Sequence, residues 1–165
     1  MRSYQVFAAM SPEEATRVMK TLSEGSPAMF RQAVDAAAIA GKARPAYLRK
    51  QPFERRAQAV RRSLSRVATN PVADELLAVY FLECRKALLL EWLDLLGLDH
   101  DDGALKEDAP AQPEEKALAA AVEKLRASSG DAGDAADREL LMKAFAAQDA
   151  IDWSALDAQL GAASA

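Results

Sequence analysis

Between residues 42 and 66 the chain carries nine basic side chains, Lys42, Arg44, Arg49, Lys50, Arg55, Arg56, Arg61, Arg62 and Arg66, against a single acid, Glu54. Guanidinium groups pair bidentately with carboxylate or phosphate, so this density of arginine suits an acidic protein surface or a nucleic-acid backbone. Placed on a helix, Arg55, Arg62 and Arg66 fall within about 40° of one another and span roughly 16 Å. They read as a ridge opposite an apolar stripe, with Arg49 and Lys50 just before it. The same charges also fit a plain solvated face, or one matched by the chain's own acidic half. Of the two partners, an acidic protein is the better fit, since the net charge is −4 and no helix-turn-helix signature accompanies the arginines.

Asp99, His100, Asp101 and Asp102 form the one place where a histidine meets several carboxylates, a ligand set able to hold a divalent ion. The spacing departs from a calcium loop. Glycine stands fifth from Asp99 rather than sixth, and Pro110 takes the place of the closing glutamate. No HExxH or CxxC supplies a zinc site, so these four are weak metal candidates and a polar turn is the simpler reading; no cofactor is expected. Asp131, Asp134 and Asp137, near Gly130 and Gly133, read as solubilising acids on a glycine-rich hinge. Cys84 falls on an apolar arc between Phe81 and Leu88, with the lone His100 far along the chain, whereas a nucleophile needs both access and a base. GxSxG, GxxxxGK[ST] and GxGxxG do not occur. Glu13 with Glu14, and Glu114 with Glu115, are acids of first helical turns, where they meet the positive end of the helix dipole.

The elements that must position these groups follow from pattern. The chain has 165 residues, half of them hydrophobic and 28% charged, which is enough for one compact domain. It lacks the run of about 18 apolar residues that a membrane span needs. A single cysteine rules out an intrachain disulfide framework, and the apolar stretch after Met1 is too short for a secretory signal, so the expected location is cytoplasmic. Charge is divided unevenly. Residues 1–90 hold 15 Lys or Arg against 8 Asp or Glu, and residues 91–165 hold 6 against 17.

Ser11-Pro12, Ser26-Pro27 and Asn70-Pro71 each place a polar cap before a proline, the expected start of a helix. Helices are predicted over 12–22 and 27–40, with room for a single helical turn between Gly41 and Pro52. A third helix presents Phe53, Ala57, Val60, Leu64 and Val67 on one stripe. The longest, 71–96, has Leu76, Leu77, Tyr80, Phe81, Cys84, Ala87, Leu88 and Leu95 on one arc but further leucines on the other side, as a central helix would. Residues 106–113 read as a mobile linker. Helices follow over 114–127 and 137–148, and Asp152 caps a last one that turns Trp153 and Leu156 inward. The two opening helices have no second copy downstream, so a repeat solenoid is not expected.

The expected architecture is therefore all-α, a single-domain helical bundle of six or seven helices around one long central helix. Residues 1–105 form its basic part, including 71–96, and residues 106–165 an acidic segment packed on the same domain. The expected function is non-catalytic: an adaptor or regulator that binds an acidic or apolar surface of another protein, a second copy of this chain included. Its contacts are the arginine ridge, or Trp92 on the apolar flank of the long helix. A nucleic-acid-associated protein using the arginines is the alternative, with a metal-dependent enzyme at residues 99–102 behind it. No membrane partner is expected.

Overall fold

A computed structural model describes residues 1–129 and 133–162. The chain is all-α, with ten α-helices and one two-stranded hairpin among the described residues. Its Cα packing separates two compact units, Ser3–Cys84 and the chain from Arg85 onward, the latter joined by Met1–Arg2. The division at residues 105/106 read from the sequence is one of charge; the division in packing comes earlier, inside the segment 71–96.

The first unit begins with α1 (Ser3–Ala9), which sequence reading left unassigned because its apolar run is so short. Val6 and Phe7 are buried, and the Tyr4 amide donates to Asn70 Oδ1 at 3.1 Å. Next, α2 (Pro12–Gly25) starts with a complete capping box: the Glu14 amide donates to Ser11 Oγ, and the Ser11 amide to Glu14 Oε2. Ser26 and Asn70 make no such cap bond, and the Asn70 amide group instead holds Tyr4 and Asp74. After α3 (Pro27–Ala40) the chain turns through a Schellman closure, in which the Ala43 amide reaches the Ala38 carbonyl at 2.8 Å. The residue forced to positive φ there is Lys42, at 55°, one position past Gly41. A single helical turn, α4 (Pro45–Arg49), leads to α5 (Phe53–Leu64). The helices α2, α3 and α5 pack together, with α1 and α6 (Asn70–Val79) against α5.

Segment 71–96 is not one regular helix. After α6 it winds as a π-helical turn, Tyr80–Cys84, breaks at Arg85 (φ −135°, ψ 36°), and resumes as α7 (Lys86–Leu96). A π turn takes an extra residue, which advances the facing of everything beyond it by about 100°. The buried positions change accordingly: Leu76, Leu77, Tyr80 and Phe81 before the turn, but Leu88, Leu89, Trp92, Leu93 and Leu96 after it, while Ala87 is exposed. Two short helices with separate cores explain the apolar residues on both sides of the projected long helix.

In the second unit Gly97, at φ 68°, closes α7. The antiparallel hairpin β1 (His100–Asp101) and β2 (Ala104–Leu105) follows, turning through Asp102 and Gly103, both at positive φ. Asp-Gly is the sequence such a two-residue turn favours. Then come α8 (Glu115–Ala127), α9 (Ala135–Ala146) and α10 (Ser154–Ala162). Their core holds Leu118, Val122, Leu125, Leu141, Phe145, Trp153 and Leu156. Residues 106–113 are tied down rather than loose, since Pro110 is buried and its carbonyl accepts the Trp153 indole N–H at 3.0 Å. The last helix, expected from a cap at Asp152, starts at Ser154.

Candidate functional site

The basic segment lies entirely within the unit Ser3–Cys84. Arg55 and Arg62 sit exposed on α5, where Arg55 makes a long contact with Gln51 at 3.4 Å and Arg62 one with the Gln58 carbonyl at 3.4 Å. Arg66 departs from the expected ridge. The α5 helix ends at Leu64, and Arg66 is extended, at φ −104° and ψ 141°. Hydroxyl groups end the helix: Ser65 Oγ donates to the Arg61 carbonyl and Thr69 Oγ1 to the Ser63 carbonyl, both at 2.7 Å, and these bonds compete with continued helical bonding. Val67, expected on the apolar stripe, is consequently 70% exposed.

Arg49, at the end of α4, donates from Nε to Asp35 Oδ1 at 2.7 Å and from Nη2 to Oδ2, a bidentate pair with α3. That hydrogen bond is the main reason the Asp35 carboxyl is held below the ordinary aspartate range; the charges of Arg49 and Arg31 add to it and partial burial opposes it. Arg61 serves the fold, donating to the Met10 carbonyl at 2.8 Å. Within this unit Asp35 is the one carboxylate in ion-pairing reach of the nine cations. Lys42, Arg44, Lys50, Arg55, Arg62 and Arg66 are exposed and keep their charge available.

A cleft of about 500 Å³ opens beside this surface, between α3 and α5, with Arg49 of α4 and Ser23 of α2 at its edge. Its apolar wall is Phe30 stacked on Phe53, ring centroids 5.4 Å apart, with Val34 and Pro27. Arg56 lies across both rings, its guanidinium carbon 5.5 Å from the Phe30 centroid and 5.4 Å from that of Phe53. This fixes the guanidinium by cation–π contact, and its Nε is shielded from solvent without an acceptor. Arg31, exposed on α3, completes the cationic rim.

The remaining sequence candidates fall elsewhere. Trp92 is buried to 0% exposure, its ring 5.9 Å edge-on to Phe145, which in turn packs on Trp153; it is a core residue and offers no flank to a partner. The leucines beside it, Leu89, Leu93 and Leu96, are covered for the same reason. Asp99, His100, Asp101 and Asp102 do not converge on a metal: among the described residues no group of three or more such side chains is placed to hold one. His100 Nε2 lies 3.2 Å from Asp94, and Asp102 pairs with Lys86. Of the three spaced aspartates, Asp131 is outside the described residues. Asp134 and Asp137 are structural rather than solubilising: Asp134 Oδ1 caps α9 by accepting the Asp137 amide, and the Asp137 carboxylate, 1% exposed, accepts from Arg85 Nε at 2.7 Å. Cys84 is half-buried against Gly25 instead of sealed in a core.

Sequence reading missed the cleft because it treated Phe53 as core and Arg56 as one charge among nine. The signal was present in the spacing, since an arginine three residues after a phenylalanine on one helix lies on the same face. Phe30-Arg31 on α3 was the part that only tertiary packing brings alongside. No protein-family model, curated protein or solved structure matches the chain. Among the described residues no helix is long and apolar enough to cross a membrane.

Proposed function

We propose that this is a non-catalytic, cytoplasmic interaction protein, an adaptor or regulator that docks an acidic protein segment on the basic face of the unit Ser3–Cys84. The observation that carries the reading is the charge balance of that face. Among the described residues no carboxylate pairs with the six exposed cations between residues 42 and 66, and Asp35 is spent on Arg49. Uncompensated surface cations steer and hold an oppositely charged partner while contributing little to the fold. Arginine and phenylalanine dominate the adjoining cleft, groups that supply charge and shape rather than proton transfer near neutral pH. A lone thiol suits a reducing cytoplasm.

The test is fluorescence anisotropy with a labelled oligoglutamate peptide and with single- and double-stranded oligonucleotides, over a salt series, on the full chain and on the variant carrying Arg55→Glu, Arg62→Glu and Arg66→Glu. Expected are binding of the peptide that weakens as salt screens it and a loss of about tenfold or more in the variant. Absence of peptide binding even at low salt would reject the reading. Tighter binding of an oligonucleotide, lost in the same variant with a steep salt dependence, would replace the acidic protein with nucleic acid.

A further inference from the structure

We propose that the cleft between α3 and α5 is the specificity pocket for that acidic segment, taking one large apolar side chain flanked by carboxylates. The inference rests on the reading above and names what distinguishes the true partner from any polyanion. Two chemistries meet within the cleft. Half-buried Phe53 and exposed Pro27 offer apolar surface in a volume of about 500 Å³, the size at which pockets admit a substantial side chain. Around it stand Arg31, Arg49 and Arg56; Asp35 is hydrogen-bonded to Arg49, and its charge also acts on Arg31. The two remaining guanidiniums match one or two carboxylates adjacent to the inserted side chain.

Arg56 is best placed to hold such a carboxylate. Its guanidinium is already immobilised over two aromatic rings, so pairing it with an anion costs little further side-chain entropy. It has no anion of its own, and its shielded Nε has no acceptor. The same geometry disfavours a nucleobase. Phe30 is 5% exposed, and the ring pair is occupied by its own stacking and by Arg56, so no free aromatic platform remains for a base.

The test compares two labelled peptides of equal charge, glutamate-rich with one central phenylalanine or with alanine there, against the full chain and against Arg31→Gln, Arg56→Gln and their combination. The combined variant is checked for an unchanged amide spectrum before binding is measured. Arg31→Gln, at an exposed position, provides a substitution that packing does not oppose. The phenylalanine peptide is expected to bind about tenfold more tightly to the unaltered chain, to move the amides of Phe30 and Phe53, and to lose that advantage in the variants. Equal binding of both peptides would overturn the pocket while leaving the acidic-partner reading in place. Failure of both peptides to bind would overturn both. An oligonucleotide that displaces the phenylalanine peptide and moves the same amides would reassign the cleft to nucleic acid.

Discussion

Substituting Gly25 by alanine tests how tightly the end of α2 meets the π turn. A Cβ at this position falls 2.5 Å from Cys84 Sγ and 3.3 Å from Cys84 Cβ, where ordinary contact begins at 3.4 Å. Two effects of opposite sign compete. Alanine in place of glycine inside a helix favours folding by about 1 kcal/mol, while overpacking of this kind costs about 1–3 kcal/mol. Gly25 ends α2, where the propensity gain is smaller than in mid-helix, and the turn's backbone is close as well, with Cys84 Cα at 3.6 Å. The single variant should therefore lose roughly 1–2 kcal/mol. Removing the obstructing sulfur with Cys84→Ala should restore most of that loss, so that urea unfolding of the four chains in a double-mutant cycle yields a coupling of about 1 kcal/mol or more. If the two substitutions prove additive, or if Gly25→Ala alone is stabilising, the close approach of α2 to Cys84 is wrong.

Three other outcomes follow from single residues. Lys42 is held at φ 55°, so Lys42→Gly should stabilise the chain by about 0.5–1 kcal/mol, read as a higher urea midpoint at unchanged slope. Both tryptophans are buried, but Trp153 donates its indole N–H to Pro110 and Trp92 has no acceptor; Trp153→Phe should cost about 1 kcal/mol more than Trp92→Phe in the same assay. The Asp35 carboxyl, bonded to Arg49, should titrate below the free value of about 3.9 in a carboxyl-detected NMR experiment, and Arg49→Gln should bring it back up. Because the folded-state value is the depressed one, the pair's contribution is complete above the unfolded pKa. It is lost as the pH falls through the folded one, so the difference between the unaltered chain and Arg49→Gln should vanish in strong acid.

Local punctuation was legible in the sequence wherever a single interaction decided it. Ser11-Pro12-Glu13-Glu14 encodes a complete cap, Gly97 a left-handed stop, and the 3.6-residue spacing of Leu118, Val122 and Leu125 a buried face. The α5 stripe was legible up to Leu64 and no further, because periodicity carries no record of the Ser65 and Thr69 hydroxyls that end the helix. Segment 71–96 misled for a related reason. A projection at 100° per residue presumes a constant winding, and the π turn with the break at Arg85 violates it, moving Trp92 and Leu93 to the buried side and Ala87 to solvent.

Of the candidate site, the accumulation of arginine was visible at once, and its relation to other groups was not. The Arg49–Asp35 pair joins residues 14 apart through the turn at Lys42, and the Arg56 contact to Phe30 crosses from α5 to α3. Conversely, acids that looked like surface charge, Asp134 and Asp137, turn out to be a helix cap and a buried partner of Arg85. Composition records how many charges a segment has; which of them remain available is a property of the packing.

In the proposed complex an acidic protein segment docks on residues 42–66 and the neighbouring cleft. An amide-resolved NMR titration of the full chain with the phenylalanine-bearing glutamate peptide tests it most directly. Shifts are expected to concentrate in α4, α5 and the Phe30–Arg31 part of α3, and to diminish as salt is raised. Shifts confined to residues beyond Arg85, or none at low salt, would contradict it.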